Sequence, residues 1–468
     1  PEEIPVAFST FQALGAFRLL KHQIIVKQPQ FVETLGSATV ICADKTGTLT
    51  QNKMKIAFLY DAQTQKSIEV KDAIGIPSLL LEYAMWSSET NPFDPMEKAI
   101  HTLYEQTTVE DKRNKYKQIH EYPIGGVPPM MTHIFQHTNG EIIIAAKGAV
   151  EALLSNTILT SETAGTIEKQ AMQYASQGYR VLAVGKAEWP DNNWPECQTE
   201  FKFNLLGLLV FQDPPKENIT DTIQTFRKAG IPVKMITGDY AETALAIAAQ
   251  IQLTHNLEVL TGAEVLQLSN EQLQEKVNAI NIYARMFPEA KLKVIDALKE
   301  QGEIVAMTGD GVNDAPALKS AGIGIAMGER GTEIARQSAD LILTDDDASK
   351  IVMAIREGRK IFSNLKKAIR YIISIHIPIL LTASLPVVFG WTYPNIFTPI
   401  HIIFLELIMG PTCSVFFERE PVEASIMQQP PRKRTAGLYT GDELFLSIVQ
   451  GLIITLGILG LYYYFMHA

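Results

Sequence analysis

The run Ala38-Thr39-Val40-Ile41-Cys42-Ala43 passes directly into Asp44-Lys45-Thr46-Gly47-Thr48-Leu49-Thr50, so an apolar, β-branched segment is followed by a carboxylate, hydroxyls and a glycine. Such a run reads as a buried strand feeding a polar loop. At the C-terminal edge of a strand that loop suits a covalent nucleophile: Asp44 attacks phosphorus while neighbouring N–H and O–H groups hold the phosphate oxygens. Asp, Thr and Gly are also ordinary turn residues, so the stretch alone reads equally as an Asx turn.

Two later runs end in the same way. Ile231 to Ile236 delivers Thr237-Gly238-Asp239, and Ile304 to Met307 delivers Thr308-Gly309-Asp310-Gly311-Val312-Asn313-Asp314. Leu205 to Phe211 reads as the strand with which this alternation resumes, broken by Asp213-Pro214-Pro215. A helix from Asn218 to Ala229 stops at Gly230, an Ala-rich helix follows Asp239, and Ala284-Arg285-Met286-Phe287-Pro288 leads into a helix carrying Lys291 and Lys293. Short strands at Ile323 to Met327 and Leu341 to Leu343 complete the pattern. Strand, crossover helix, strand is the grammar of a parallel sheet covered on both faces, whose C-terminal strand edge forms the ligand crevice. Asp44 would then attack a terminal phosphoryl group, Thr237 and Lys291 hold its oxygens, Asp44 and Asp310 hold Mg²⁺, and Asn313 and Asp314 orient that ion and its waters. Acidic groups packed this closely require a cation. A turn explains any one tip, but not all of them in order on strand ends.

Between 53 and about 205 the chain changes to mixed short strands and polar helices and reads as an inserted domain. Its candidate nucleotide contacts are Asp94-Pro95-Met96-Glu97, Lys147-Gly148-Ala149 and Gly178-Tyr179-Arg180, where Lys147 and Arg180 suit phosphates or a purine face and Gly148 admits close backbone approach. Each is weak alone, since Lys-Gly is usually a turn and a lone Arg a solvated charge.

At 468 residues the chain predicts about three domains of roughly 150 residues. A net charge of −10 and a pI near 5.5 argue against a nucleic-acid footprint. With 46% hydrophobic residues and a mean hydropathy of +0.05, any membrane part must be concentrated, and it is concentrated at both ends. Cys42, Cys197 and Cys413 lie far apart, without disulfide or zinc-ligand spacing, which fits a reducing cytoplasm. Ile4 to Leu20 reads as half a membrane helix, opened by Pro1-Glu2-Glu3-Ile4-Pro5; a proline-broken helix frees carbonyls that, with Glu2, suit a cation. A surface amphipathic helix is the alternative. Tyr371 to Gly390, Ile396 to Phe417 and Leu444 to Met466 are each long enough to span a bilayer. Lys366, Lys367 and Arg370 precede the first span and Arg432, Lys433 and Arg434 follow the second, with no charge from Trp391 to Asn395, so both flanks are expected in the cytoplasm and the linker outside.

The stretches DKTGTLT (Asp44 to Thr50), KGA (Lys147 to Ala149), TGD (Thr237 to Asp239) and TGDGVND (Thr308 to Asp314) together resemble the P-type cation-transporting ATPases, of the calcium-type subfamily within the haloacid-dehalogenase-like superfamily. The resemblance runs over nearly the whole chain. It implies a haloacid-dehalogenase-like Rossmannoid parallel sheet (α/β), with an inserted α+β nucleotide-binding domain and transmembrane helices. The implied plan is membrane helix and stalk at 1–23, phosphorylation domain at 24–52 and 213–347, nucleotide-binding domain at 53–212, stalk and two membrane helices at 348–417, a cytoplasmic loop at 418–440, and a further membrane helix at 441–468. Asp44 becomes the phosphorylated aspartate, served by Lys45, Thr46, Thr237, Gly238, Asp239, Lys291, Asn313 and Asp314. Asp44, Thr46 and Asp310 become the Mg²⁺ ligands, and Glu97, Tyr122, Lys147, Gly148, Arg180, Asp213 and Arg285 the ATP contacts. Where the family carries an adenine-stacking aromatic and a lysine, this chain has Ile124 and Pro128-Pro129, leaving Tyr122 as the substitute ring.

Within the spans, Glu2, His376 (near Pro378) and Glu406 (near Pro411) are the candidate ligands of the transported cation. His376 and Ile379 stand where calcium-type pumps carry an asparagine and a glutamate, Gly410 stands for an aspartate, and Glu406 replaces an asparagine. A two-ion calcium site is therefore not expected; one Ca²⁺ or other divalent ion, or a proton, fits a carboxylate and a histidine. The absence of Cys-Pro-Cys argues against a soft-metal pump. No TGE-bearing actuator and no early or later membrane helices are found, so the polypeptide is expected to bind nucleotide and accept phosphate without completing a transport cycle. The expected partners are ATP, the cation and a lipid bilayer, with the catalytic domains cytoplasmic and the compact insertion pointing to a bacterial inner or plasma membrane. A membrane-tethered phosphatase and a non-catalytic regulatory relative are the alternatives.

Overall fold

The computed structural model describes residues 3–73, 78–108, 110–125, 129–190, 193–391, 396–432, 437 and 440–467, the side chains of 410–414 and 467 excepted. Glu2, Pro128, the 392–395 linker, Lys433 and Arg434 lie outside the described residues, as do the side chains at Gly410, Pro411 and Cys413. Two compact units emerge. The first comprises Pro1–Leu49, Glu217–Gly238 and Ile251–Ala468, and the second Thr50–Lys216 and Asp239–Gln250. The helix Ala241–Gln250 thus groups with the second unit, where Gly178, at φ +87°, leaves room for Thr243 and Ala246.

The first unit is built on an eight-stranded sheet in the order Ile24–Val26, Leu341–Leu343, Ile323–Met327, Val305–Gly309, Val40–Ala43, Val233–Ile236, Ile282–Ala284, Val259–Thr261. Every pair is parallel except the edge strand Ile24–Val26, which runs antiparallel to Leu341–Leu343. The central strands bury every residue, the pattern of a sheet covered on both faces. Lys234 is the exception in composition, not in burial: its ammonium donates to the Ile280 carbonyl at 2.7 Å, while burial lowers its pKa to about 8.

The second unit carries a seven-stranded antiparallel sheet in the order Lys66–Glu69, Lys55–Asp61, Asn204–Gln212, Arg180–Ala187, Ile142–Gly148, Met130–His137, Tyr116–Gly125. One core holds Ile134, Leu153, Ile167 and Leu208; a separate one holds Leu81, Trp86, Ile100 and Leu209. Alternate residues such as Leu208 and Leu209 feed different cores because successive strand side chains point to opposite faces. The expectation that Leu205 to Phe211 resumes the parallel alternation is corrected here. That strand, Asn204–Gln212, pairs antiparallel with Lys55–Asp61 and Arg180–Ala187 inside the second sheet.

Four helices complete the first unit: Glu3–Lys21, Lys350–Val388, Pro399–Arg419 and Gly441–His467. Lys350–Val388 has 39 residues and is about 58 Å long. Among the described residues, it and Gly441–Met466 are long and apolar enough to cross a membrane, their most apolar 18-residue stretches having mean hydropathies of 1.9 and 2.3. The third expected span is the Pro399–Arg419 helix, whose described apolar part is Pro399–Met409. The long helix is tied to the sheet unit through the short helix Gln30–Gly36: Gly36 and Gly358 face each other so closely that a Cβ on either would meet backbone. Arg359 then donates to the carbonyls of Ile426 at 2.8 Å and Gln429 at 2.7 Å, and Lys367 pairs with Glu420 at 2.6 Å, holding the 420–432 segment along the helix. Gly358→Ala is expected to cost about 1–3 kcal/mol by forcing these helices apart. Urea denaturation checks this, and an unchanged midpoint would mean that the crossing relaxes freely.

Candidate phosphoryl-transfer site

Asp44 follows the Val40–Ala43 strand and is 9% exposed. Its neighbours in the sheet pair Met307 with Cys42 and Met235 with Ala43, so the tips after Val305–Gly309 and Val233–Ile236 end beside it. The Asp44 N–H donates to Thr308 Oγ1 at 3.2 Å. Lys291, buried on the Pro288–Glu300 helix, donates from Nζ to Asp44 Oδ2 at 3.1 Å and to Asp314 Oδ1 at 2.6 Å. The other oxygen of Asp314 accepts from the N–H groups of Asp310 at 3.3 Å and Gly311 at 3.1 Å, and Gly309 has no side chain because Asp314 packs there.

One carboxylate oxygen each from Asp44, Asp310 and Asp314 lies within 4.8 Å of the others. Burial raises the pKa of Asp44, and that of Asp310 to about 6, with the neighbouring carboxylates adding to both shifts. Burial opposes the charge on Lys291, yet Asp44 and Asp314 keep it protonated well above the ordinary lysine value. Three carboxylates with one ammonium leave the pocket short of positive charge, and an all-oxygen set of this kind fits a hard divalent cation such as Mg²⁺. Gly47, at φ +74°, opens the remaining wall: a Cβ there would meet Arg330 Nη1 and lie 3.3 Å from Asp310 Oδ2. Arg330 is held by Asp346 at 3.3 Å, which also accepts the Glu329 and Arg330 N–H groups, while Nη1 is buried without a partner among the described residues. Arg330, Asp346 and Thr308 were given no role from the sequence; Arg330 and Asp346 lie outside the recognised motifs, and Thr308 sits inside one.

The other expected residues divide. Lys45 and Thr237 are buried at this edge, with the Thr237 carbonyl accepting from Met286 N–H at 2.9 Å, and Thr46 is half-buried in the same loop. Gly238, Arg285 and Asn313 are exposed, Arg285 at φ +52°. Asp239 belongs to the second unit, 3.9 Å from the exposed Arg180.

In the second unit, Lys147 Nζ donates to Glu97 Oε1 at 2.6 Å and Ser88 Oγ at 2.7 Å; all three are buried. Burial pulls the Lys147 pKa down, against the pull of Glu97. Asp94 caps the Pro95–Thr107 helix, accepting from Met96 N–H and Glu97 N–H, and so sets Glu97 in its first turn. Gly148 packs on the Met130 backbone with no room for a Cβ. Tyr122 is corrected as a stacking platform: it is 8% exposed, packs edge-on against Phe201 and donates its hydroxyl to the Pro195 carbonyl at 2.6 Å, whereas Ile124 is 71% exposed. Asp213 accepts from Thr50 Oγ1 at 2.6 Å and Lys53 N–H at 3.2 Å, fastening the two strands of the crossover.

Among the helices, His376 Nε2 lies 3.5 Å from Glu3 Oε1 and 3.7 Å from Glu406 Oε1. His376 Nδ1 donates to the Ile372 carbonyl at 2.8 Å, which leaves Nε2 toward the two carboxylates. Both oxygens of Glu3 are buried with no hydrogen-bond partner found among the described residues. The carboxylate found beside His376 and Glu406 is thus Glu3, which the sequence reading passed over for its neighbour Glu2.

Two outcomes follow from these charges. Asp310 has a folded-state pKa above its unfolded value, so without divalent ions the fold binds this proton more tightly and gains stability as pH falls through 6. In chelator at pH 7.5, Asp310→Asn is expected to stabilise by about 1–2 kcal/mol after allowance for solvent screening, a gain that fades at lower pH, as thermal melts would read. Glu97→Gln strands a buried ammonium and is expected to cost about 3–5 kcal/mol, most of it recovered in Glu97→Gln/Lys147→Met; simple additivity in urea titrations would contradict the pairing.

The region 38–322 matches the haloacid dehalogenase-like hydrolase family, and 394–468 matches the cation-transporting ATPase C-terminus. A calcium-transporting ATPase of Bacillus cereus is 35% identical, covering 97% of this chain and 53% of that protein. Calcium-transporting ATPase 1 of Saccharomyces cerevisiae is 33% identical (94% and 51%), and a probable cation-transporting ATPase F of Mycobacterium tuberculosis is 34% identical (94% and 53%). The chain spans about half the length of the curated relatives it matches. With the Asp44-bearing parallel sheet, the antiparallel insertion and the apolar C-terminal helices in this order, the chain belongs to the haloacid dehalogenase-like hydrolase family, among its P-type cation-transporting ATPases.

Proposed function

We propose that the chain carries the catalytic and central membrane part of an ATP-driven cation pump that works through a phospho-aspartate at Asp44. The observation behind this reading is the buried Lys291 bridging Asp44 and Asp314 beside Asp310, all at one sheet edge. An Asp44 carboxylate oxygen forms a bond to the γ-phosphorus of ATP as the bond from that phosphorus to the β,γ-bridging oxygen breaks, and ADP leaves with the electron pair. Lys291 keeps Asp44 ionised and, with Thr237, meets charge on the transferring oxygens. Asp44, Asp310 and Thr46 would hold Mg²⁺, which neutralises the phosphate charge when bound. Asp314 fixes Lys291 and its own loop, and Asn313 faces the solvent side. Arg330 Nη1, buried beside Gly47, suits a further phosphate oxygen.

The second unit, within 53–212, is read as the nucleotide-binding domain, with Glu97, Lys147, Gly148 and Arg180 on the ATP; Asp213 serves the crossover, and Arg285 lies near the phosphorylation loop. The helices are read as membrane spans because Leu380, Val387, Ile400, Phe404 and Leu456 are between 61% and 77% exposed, apolar surface that a bilayer would cover. Glu3, His376 and Glu406, with Glu2, are the proposed ligands of the transported ion, a divalent cation such as Ca²⁺ or a proton. Localisation in a bacterial inner or plasma membrane, with the two sheet-bearing catalytic parts cytoplasmic, completes the reading.

The test is incubation with γ-labelled ATP and Mg²⁺ across a panel of cations, followed by acid quench. A hydroxylamine-sensitive label is expected, absent in Asp44→Asn and reduced on the order of 100-fold in Lys291→Ala. Label retained in Asp44→Asn would overturn the assignment.

A further inference from the structure

We propose that the second unit holds a divalent-cation site of its own, formed by Glu89, Glu121 and His133, suited to an ion of the Zn²⁺, Mn²⁺ or Co²⁺ class. Glu121 and His133 are directly paired across the antiparallel strands Tyr116–Gly125 and Met130–His137, so their side chains leave the same face of the sheet. Glu89 reaches them from the segment after the Leu79–Trp86 helix. A ring nitrogen of His133 and one carboxylate oxygen from each glutamate lie within 4.8 Å of one another.

The histidine supplies the second, independent observation. His133 is 0% exposed. Its Nδ1 lies 3.2 Å from the Ser88 carbonyl, an acceptor, so Nδ1 carries the hydrogen and Nε2 is left with its lone pair. Nε2 is buried with no partner among the described residues. Among the described residues, no donor reaches that nitrogen and no cation pairs with Glu89 or Glu121. Lys147, the nearby ammonium, is taken by Glu97 and Ser88. Gln118 occupies one oxygen of Glu121 at 3.0 Å and leaves the other.

One imidazole nitrogen and two carboxylate oxygens favour borderline ions over Ca²⁺, which prefers oxygen throughout, and three protein ligands leave positions open. Occupancy would also be felt next door. The Ser88 carbonyl orients His133 while Ser88 Oγ accepts from Lys147, and Glu89 N–H donates to Glu97 Oε1 at 3.4 Å. A cation drawing in Glu89 and His133 therefore tightens the chain that positions Lys147 and Glu97, and any effect on ATP is reciprocal. This coupling, though not the site, rests on the nucleotide reading above.

The experiment is calorimetric titration of the purified chain with Zn²⁺ and separately with Mn²⁺, in excess Mg²⁺ so that the aspartate cluster is filled. Wild type is compared with His133→Ala and with Glu121→Gln, the latter at an exposed position that the fold does not need. The expected result is one equivalent of Zn²⁺ or Mn²⁺ lost in each variant, with unchanged melting temperature in Glu121→Gln. Should His133→Ala fail to fold, Glu121→Gln carries the test alone. Equal stoichiometry and affinity in wild type and Glu121→Gln, or no binding by wild type, overturns the site. ATP affinity measured with and without Zn²⁺ separates the two claims: metal binding with unaltered ATP affinity overturns the coupling, while absence of ATP binding altogether overturns the nucleotide reading and leaves the metal result standing.

Discussion

The ammonium of Lys291 between Asp44 and Asp314 is the interaction on which the first unit turns. Each buried ion costs several kcal/mol to desolvate, and the cost is offset only if partners are held in place beforehand. The sheet supplies that. Parallel strands packed on both faces cannot slip by one residue without mispacking every side chain against the opposite layer, so the levels of Asp44, Thr308 and Thr237 are fixed by register. Asp314 is then locked by its own loop N–H groups, and Lys291 by a helix whose buried stripe of Ala290, Val294, Ile295 and Leu298 lies in the same core as Val40 and Met307. The carboxylates remain in excess, and the site is preorganised for cationic and phosphate charge rather than for itself.

The long helix Lys350–Val388 extends that rigidity. Its first half is clasped to the Gln30–Gly36 helix, which follows the Ile24–Val26 edge strand and precedes the nucleophile strand by only a few residues. Its second half carries His376 and Pro378. A displacement at the sheet edge therefore has a continuous packed path to His376, since two glycines in backbone contact leave no compressible layer between helices. This is spatial continuity, and it becomes energetic coupling only where both ends bias a shared two-state element.

How much of this was legible depended on what kind of information each feature needs. The Asp44, Thr237 and Asp310 tips were readable because local sequence encodes a buried strand and its polar end together. Leu205 to Phe211 was misassigned to the alternating pattern because a continuously apolar run looks the same in a parallel sheet and in the middle of an antiparallel sheet with a core on each face. The strands Val259–Thr261 and Ile282–Ala284, at three residues each, are too short to show any period. Tyr122 was taken as a surface ring because sequence does not reveal that the Pro195 carbonyl and Phe201 lie over it. Glu3 was overlooked beside Glu2 because the sequence alone does not show which carboxylate packs beside His376. His133 carried no local signal, since its partners come from a neighbouring strand and a distant helix end.

Three clusters share one electrostatic character: Asp44 with Asp310 and Asp314, Glu89 with Glu121 and His133, and Glu3 with His376 and Glu406. In each, carboxylates outnumber the fixed positive charges within reach among the described residues, and in the last two an imidazole adds a nitrogen donor atom. A fold stabilised by internal ion pairs would match its acids with lysines and arginines, as Lys147 does for Glu97. These clusters leave the match incomplete among the described residues, the arrangement that a bound cation would balance. The donor sets also separate them: all-oxygen at the sheet edge, and mixed nitrogen and oxygen at the other two. An all-oxygen set suits a hard ion, whereas a mixed set is open to borderline ions as well.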